Sequence, residues 1–396
     1  LLWTLSSVMA ALGLAAAAVV ALNLRGEAPL PAAETLQSTP ELVARGEYLA
    51  RAGNCMACHT VQGGAPFAGG RGIETPFGVV HSSNLTPDKA HGIGGWTSAE
   101  FWRAMHHGRS KDGRLLYPAF PYPNYTQVTR EDADAIFAYL QSLPAAPEAN
   151  RPHALRFPYS TQAALAVWRA LFFTPGEFAA ESAQTAEYNR GAYLVNGLGH
   201  CAACHSPRNA LGAEKTGDSF LAGAMIDGWE APALTALSKS PVPWDAEGLY
   251  AYLRHGHSPR HGIAGGPMAE VVREMQALPD SDVRAMATYL ASFNAAPDPV
   301  AAETPLADTQ AQAQARQQLA WTVVQTAAAN QGQLLGPAQR LFDSACAACH
   351  HDGNLGDGGP TLLGVNTPLA LNSQLSSARP DNLIRTILDG VREPAT

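Results

Sequence analysis

The chain has 396 residues and a formal net charge of −8, with 26 Lys and Arg against 34 Asp and Glu. An acidic balance argues against a nucleic-acid partner, and the length is well beyond that of a small disulfide scaffold. Only 15% of residues are charged, while Gly and Pro number 36 and 29, which points to two or three small, loop-rich domains.

Residues 1–24, LLWTLSSVMAALGLAAAAVVALNL, carry no charge and are followed by Arg25. At 1.5 Å per residue the run is long enough to cross a hydrocarbon layer of ~30 Å. A secretory apolar region is normally only about 7–15 residues long and precedes a small-residue cleavage site. No clear A-x-A site lies between Leu22 and Glu27, so the expectation is a retained transmembrane anchor. Residues 25–40 read as a Pro/Ala linker.

All six cysteines fall into three copies of one pentapeptide: Cys55-Met56-Ala57-Cys58-His59, Cys201-Ala202-Ala203-Cys204-His205 and Cys346-Ala347-Ala348-Cys349-His350. This is the c-type haem attachment motif. The thiols add to the porphyrin vinyl groups, and the next histidine coordinates iron from the proximal side. A zinc site would pair CxxC knuckles into a tetrahedral set and gives no reason for a histidine after every second cysteine. A thioredoxin-like motif would occur once, after a strand of a βαβ unit, and no such unit is visible. The expected cofactors are three covalently bound haem c groups, held by Cys55, Cys58, Cys201, Cys204, Cys346 and Cys349. The proximal iron ligands are His59, His205 and His350.

An internal repeat organises the chain. Arg45-Gly46-x-Tyr48-Leu49 precedes the first motif and Arg190-Gly191-x-Tyr193-Leu194 the second, with Gly336 and Phe342 in comparable places before the third. Each reads as a short helix with an aromatic on its buried face. Thr129-Arg130-Glu131-Asp132 caps a closing helix with apolar positions Ile136, Tyr139, Leu140 and Leu143. Pro279-Asp280-Ser281-Asp282 opens its counterpart with Met286, Tyr289, Leu290 and Phe293. Acidic or hydroxyl starts and i, i+3, i+4, i+7 spacing mark amphipathic helices.

The expected fold is therefore mainly α, with three tandem cytochrome c-type haem domains behind an N-terminal transmembrane helix. The domains run over 41–145, 183–297 and 332–396. The third has a turn at Asp357-Gly358-Gly359-Pro360 and a helical stretch Asn382–Leu388, but no closing helix, so it reads as C-terminally incomplete. Residues 146–182 form a connector. Its Phe157, Leu165, Val167, Trp168, Leu171, Phe172 and Phe173 suit packing against a haem domain or a partner, or rest at a membrane interface. Residues 298–331 read as a polar linker.

An electron carrier keeps its iron six-coordinate, and a Met thioether on the distal side raises the potential. In the second module Gly266-Pro267-Met268 lies where a distal loop belongs, which makes Met268 the sixth ligand; Met275 and Met225 read as packing residues. The equivalent first-module loop reads Tyr117-Pro118-Ala119-Phe120-Pro121-Tyr122, and phenylalanine cannot bind iron. His106 is the candidate there, ahead of His107 and Met105, with His81 and His91 as looser alternatives. No methionine follows His350, so the third sixth ligand is expected beyond residue 396. Covalent haem attachment takes place outside the bacterial cytoplasm, which places the globular part in the periplasm, facing it from the cytoplasmic membrane.

With these residues in view, the chain resembles the membrane-bound triheme cytochrome c subunits of bacterial periplasmic dehydrogenases. Its most specific stretches are residues 45–53, Glu74-Thr75-Pro76-Phe77-Gly78, Asn84-Leu85-Thr86-Pro87-Asp88, Leu116-Tyr117-Pro118-Ala119, His205-Ser206-Pro207-Arg208-Asn209 and Gly266-Pro267-Met268-Ala269-Glu270. The resemblance implies a separate catalytic subunit as electron donor and ubiquinone or a terminal oxidase as acceptor, with no substrate chemistry in this chain. Family members often have Met where Phe120 stands, and many reach the membrane by other means. Both departures are more similar to the subunit paired with molybdopterin aldehyde dehydrogenases, which implies a molybdopterin catalytic subunit and a small iron–sulfur subunit as partners. The alternatives are the cytochrome subunit of a quinoprotein alcohol dehydrogenase or of a flavoprotein sugar dehydrogenase. A multihaem peroxidase-type enzyme, with open iron under Phe120, is the rival of another class.

Overall fold

A computed structural model describes residues 2–31, 36–294, 314–315, 317–323, 325–326, 336–346 and 369–391. The chain divides into two compact units, one of residues 1–184, 192–203 and 208–215, the other of residues 185–191, 204–207 and 216–396.

The first unit opens with α1 (Leu2–Leu24), an uncharged helix exposed along most of its length. Helix α2 (Pro40–Ala52) starts where the Thr39 hydroxyl accepts from the Leu42 N–H, with Pro40 in the first turn. Both features favour a helix start. The single turn α3 (Cys55–His59) follows at once. Next come α4 (Ser98–His107), α5 (Tyr122–Tyr125) and α6 (Arg130–Ser142). Thr97 and Glu100 form a capping box on α4, and Thr129 caps α6.

Helices α2 and α6 cross closely because Gly46 carries no side chain: a Cβ there would overlap the Ala135 carbonyl. The buried faces around the crossing hold Leu49, Ile136 and Leu140. Of the apolar positions expected on the closing helix, Leu143 instead forms its C-cap, and Phe137 joins the core.

The connector is structured. The antiparallel strands β1 (Gly72–Thr75) and β2 (Gly78–His81) gain a third strand from it, β3 (Ala154–Leu155), paired as Gly78↔Leu155 and Val79↔Ala154. Helix α7 (Gln162–Phe172) then packs along α1. Asn23 donates to the Ala166 carbonyl at 2.8 Å and accepts from Arg169 Nε at 2.9 Å, while Arg109 reaches Glu27 at 2.8 Å. Arg169 is 3% exposed and also donates to the His107 carbonyl at the end of α4. The apolar helix is thus clamped to the rest of its unit by buried polar bonds, which cost much to leave unmade.

Helix α8 (Ala186–Asn196) contributes its first part to the second unit and its remainder to the first. In the second unit the crossing recurs: a Cβ on Gly191 would overlap the Ala285 carbonyl of α12 (Asp280–Ser292). The one-turn α9 (Ala202–His205), α10 (Ala246–His255) and α11 (Pro267–Met275) complete the helices of this region. Val272, Met275, Val283, Met286 and Leu290 form its core, and Phe293 is the C-cap of α12.

Of the third module, the helix Pro337–Ala345 and the helix Asp381–Asp389 lie among the described residues. The latter docks on β5 (Trp229–Ala231), the partner of β4 (Ala224–Ile226). Asn382 accepts from the Glu230 N–H and donates to the Glu230 carbonyl, each at 2.8 Å.

Candidate functional site

The first attachment motif stands on a turn the sequence builds residue by residue. Helix α2 ends at Gly53, and Asn54 takes a left-handed conformation, φ 47°. Asn is among the few non-glycine residues that visit this region readily. The reversal starts a new helical turn, on which Cys55 and Cys58 are three residues apart and share a face. His59 directs Nδ1 at the Ser83 carbonyl, 2.7 Å away. A carbonyl only accepts, so Nδ1 carries the hydrogen and Nε2 keeps its lone pair for a metal. Burial holds the ring below its ordinary pKa, partly offset by the Ser83 carbonyl, and so favours the neutral, ligating form. Arg71 donates to the Ala57 carbonyl within the motif.

The second motif repeats this design and straddles the boundary between the units. His200, the counterpart of Asn54, is also left-handed, φ 36°. In the second unit, His205 Nδ1 lies 2.7 Å from the Pro232 carbonyl and burial again lowers its pKa. In the first unit, Arg208 donates to the Ala203 carbonyl at 2.8 Å, matching Arg71 on Ala57. Among the described residues Cys55, Cys58, Cys201, Cys204 and Cys346 form no disulfide. Pairs of unbridged thiols beside a neutral, oriented imidazole fit covalent haem c. Cys346 follows the helix Pro337–Ala345, its N–H on the Phe342 carbonyl at 2.8 Å. Cys349 and His350 lie outside the described residues.

The distal candidates separate by environment. Met268 is half-buried in the first turn of α11, whereas Met275 is 2% exposed within the core. In the first unit Phe120 packs edge-on against Tyr125, centroids 5.3 Å apart. Tyr125 is buried, and burial raises its pKa well above the ordinary value.

His106 is buried, stacks on Trp102 at 4.3 Å, and has a buried Nδ1 with no hydrogen-bond partner among the described residues. Burial, partly offset by the Thr126 backbone, pulls its pKa down to about 4. An unsatisfied ring nitrogen on a neutral imidazole is what a ligand role requires. His107 is also lowered to about 4, by burial and then by His106, Arg169, Arg109 and Arg103. It faces the cationic clamp. Met105 is 4% exposed in the core. His81 ends β2 with Nδ1 on the Pro152 carbonyl, and the His91 N–H donates to Asp88.

Sequence reasoning missed the carbonyls of Ser83 and Pro232, the arginines 71 and 208, and the rings of Tyr125 and His200. One signal was present: Asn54 and His200 both stand immediately before the first cysteine of a motif.

The family profile described as cytochrome c matches residues 43–144 and 188–294. A nicotinate dehydrogenase subunit of Pseudomonas putida is 46% identical over 356 residues, covering 90% of this chain and 28% of that protein. The gluconate 2-dehydrogenase cytochrome c subunit of Pantoea cypripedii is 41% identical over 269 residues, covering 65% of this chain and 61% of that one. The fructose dehydrogenase cytochrome subunit of Gluconobacter japonicus is 37% identical over 361 residues, covering 88% and 71% respectively. The chain thus spans less than a third of the Pseudomonas relative and about three fifths of the Pantoea one.

Proposed function

Because this chain belongs to the cytochrome c family, we propose that it is the triheme electron-transfer subunit of a membrane-bound periplasmic dehydrogenase, passing electrons from a catalytic subunit to ubiquinone. The observation that carries this reading is the twofold recurrence of one arrangement. A left-handed residue leads into two cysteines on a helical turn, and the following histidine has Nδ1 on a backbone carbonyl at 2.7 Å. Covalently bound haem supplies one-electron redox centres. The chain's own residues fix the tether, the imidazole orientation and the distal side, through which a protein sets a potential.

Met268 is the sixth ligand of the second centre in this reading and His106 that of the first. Cys346, Cys349 and His350 hold a third. Helix α1 anchors the chain, since residues 3–24 have a mean hydropathy of 2.2 and the helix is exposed along most of its length. Helix α7, clamped to its end, exposes Leu171 at 63%, with Phe157 nearby in sequence at 85%, so this edge rests at the membrane interface.

The donor is a molybdopterin aldehyde dehydrogenase with an iron–sulfur subunit. The 46% identity to a protein named for nicotinate favours a nicotinate-type dehydrogenase as the second reading. Purification in detergent, with identification of the co-purifying catalytic subunit, tests the assignment. Co-purification with a substrate-oxidising subunit and reduction of the haem bands by its substrate support it. A chain released by salt alone, without such a partner, contradicts it.

A further inference from the structure

Within the second unit, Trp229 lies on the backbone that leads into Met268. Gly266, the N-cap of α11, has φ 55°, and a Cβ placed on it would stand 2.5 Å from Trp229 Cε2. The indole thus occupies the space of the missing side chain, two residues before Met268. Trp229 opens β5, and the free edge of that strand is covered by the helix Asp381–Asp389. The Asn382 side-chain amide bonds both the N–H and the carbonyl of Glu230, as a neighbouring strand would. Ser377 donates to the Glu230 carboxylate. Arg385 donates from Nε to the Gly228 carbonyl at 2.8 Å and sets its guanidinium over Trp229, 5.6 Å from the ring centroid. The same segment also holds the approach to the Met268 turn. Ser373 donates from its N–H and its hydroxyl to the His261 carbonyl at 3.1 and 2.9 Å, and Gln374 reaches the Ile263 carbonyl at 3.3 Å. All of these residues belong to the second unit.

We propose that the helix Asp381–Asp389 of the third module braces the Met268 turn of the second, acting through Trp229, with Asn382 and Arg385 as positioning residues. The inference rests on reading Met268 as the sixth ligand of the second centre. The groups around a ligand fix its orientation, and a thioether on iron raises the potential. A turn freed from its brace therefore holds the thioether less firmly, and the potential falls. The first module has a parallel device in its own sheet, where the second strand of the hairpin, β2, takes β3 from the connector. The second strand of the later hairpin, β5, has the Asn382 amide in that role. Docking alone would need only the bonds from Asn382 and Arg385. The left-handed Gly266, with an indole where its side chain would be, is what ties that docking to the ligand turn.

The test uses the full chain in its native complex. Asn382→Ala removes the bonds to the strand, Trp229→Ala removes the ring, and Trp229→Phe keeps a ring in its place. Haem content is first measured by the pyridine haemochrome spectrum. The charge-transfer absorption of thioether-bound ferric iron and the midpoint of each centre are then followed in a spectroelectrochemical titration. The expected result is full haem content throughout, with the first centre unmoved. W229A should lose most of the second centre's thioether band and shift its midpoint downward. N382A should do the same to a smaller extent, and W229F should keep both. Should W229A lose haem, N382A decides alone. An unchanged band and midpoint in N382A, with haem content intact, overturn the proposal even where W229A moves them. A wild-type second centre without a thioether band, or a band that Met268→Ala leaves undiminished, overturns instead the reading on which it rests.

Discussion

Tyr193 donates its phenol hydrogen to Asp132 Oδ2 at 2.6 Å, while Arg45 Nε approaches Oδ1 of the same carboxylate at 2.9 Å. Asp132 is 2% exposed, and the Thr129 N–H closes the arrangement by donating to the Tyr193 oxygen at 3.2 Å. One buried carboxylate thus ties the leading helix and closing helix of the first repeat to the leading helix of the second.

The second repeat has a plainer version of this bond. Asp282 binds Arg190 through two oxygens at 2.9 Å and is 8% exposed. Asp132→Asn should therefore cost more than Asp282→Asn, because it weakens a charge-assisted phenol bond as well as an ion pair. The expected loss at Asp132 is about 2 kcal/mol, discounted for the exposed Arg45 guanidinium. Chemical unfolding of the two variants checks this. Equal midpoints would show that the phenol bond contributes nothing.

Gly46 and Gly191 are the crossing points of the paired helices, where a Cβ would meet the Ala135 and Ala285 carbonyl oxygens. Backbone cannot yield there as a flexible side chain would. Gly46→Ala and Gly191→Ala should each destabilise by about 3 kcal/mol or more. The loss should appear as lower thermal midpoints and lower haem incorporation. Replacement of the exposed Gly63, which has open space around it but a φ of 74°, should cost far less and serves as the control.

His261 predicts a pH dependence. It is 1% exposed, stacks on Trp244 at 3.7 Å and has Nε2 3.2 Å from the Val242 carbonyl. Nε2 therefore carries the hydrogen and Nδ1 accepts from the Ser258 hydroxyl at 2.8 Å. Burial, partly offset by the Val242 carbonyl, lowers the pKa to about 4, against about 6.5 in an unfolded chain. The folded value is the lower one, so the unfolded chain takes up the proton first as pH falls. Stability is full above about pH 6.5 and declines towards pH 4, by no more than about 3 kcal/mol from this group. Urea midpoints between pH 7 and 4.5 should fall less steeply in His261→Gln than in the wild type. An unchanged slope would count against a buried neutral His261.

The two distal assignments predict unequal potentials, since a thioether ligand raises the potential relative to a second imidazole. The first centre should titrate below the second. Met268→Ala should lower the second centre while leaving the first in place and all thioether links intact. Spectroelectrochemical titration decides it. Equal potentials in the wild type, with Met268→Ala moving neither, would contradict the ligand scheme.

Much of this site was legible in the sequence because its determinants are local. The spacing of Cys55, Cys58 and His59 fixes a one-turn helix, and Thr129 and Asp132 mark the start of α6 without tertiary information. The strands Gly72–Thr75 and Gly78–His81 are too short for a period-two pattern to register, and β3 pairs with them from far along the chain. The same holds for the junction of Tyr125 with His200. Nothing in either residue's neighbourhood reveals a partner 75 positions away, because that contact depends on how α5 meets the turn after α8. Likewise Ser83 and Pro232 act through backbone carbonyls, which any residue supplies.

The account stands on thioether-bound haem at each of three motifs in one polypeptide, and the mass of the denatured chain tests this most directly. The predicted result is a single species heavier than the bare polypeptide by three haems, with the additions mapped to peptides containing Cys55 and Cys58, Cys201 and Cys204, and Cys346 and Cys349. A mature chain carrying two haems or fewer, with intact thiols at any of these pairs, would contradict it.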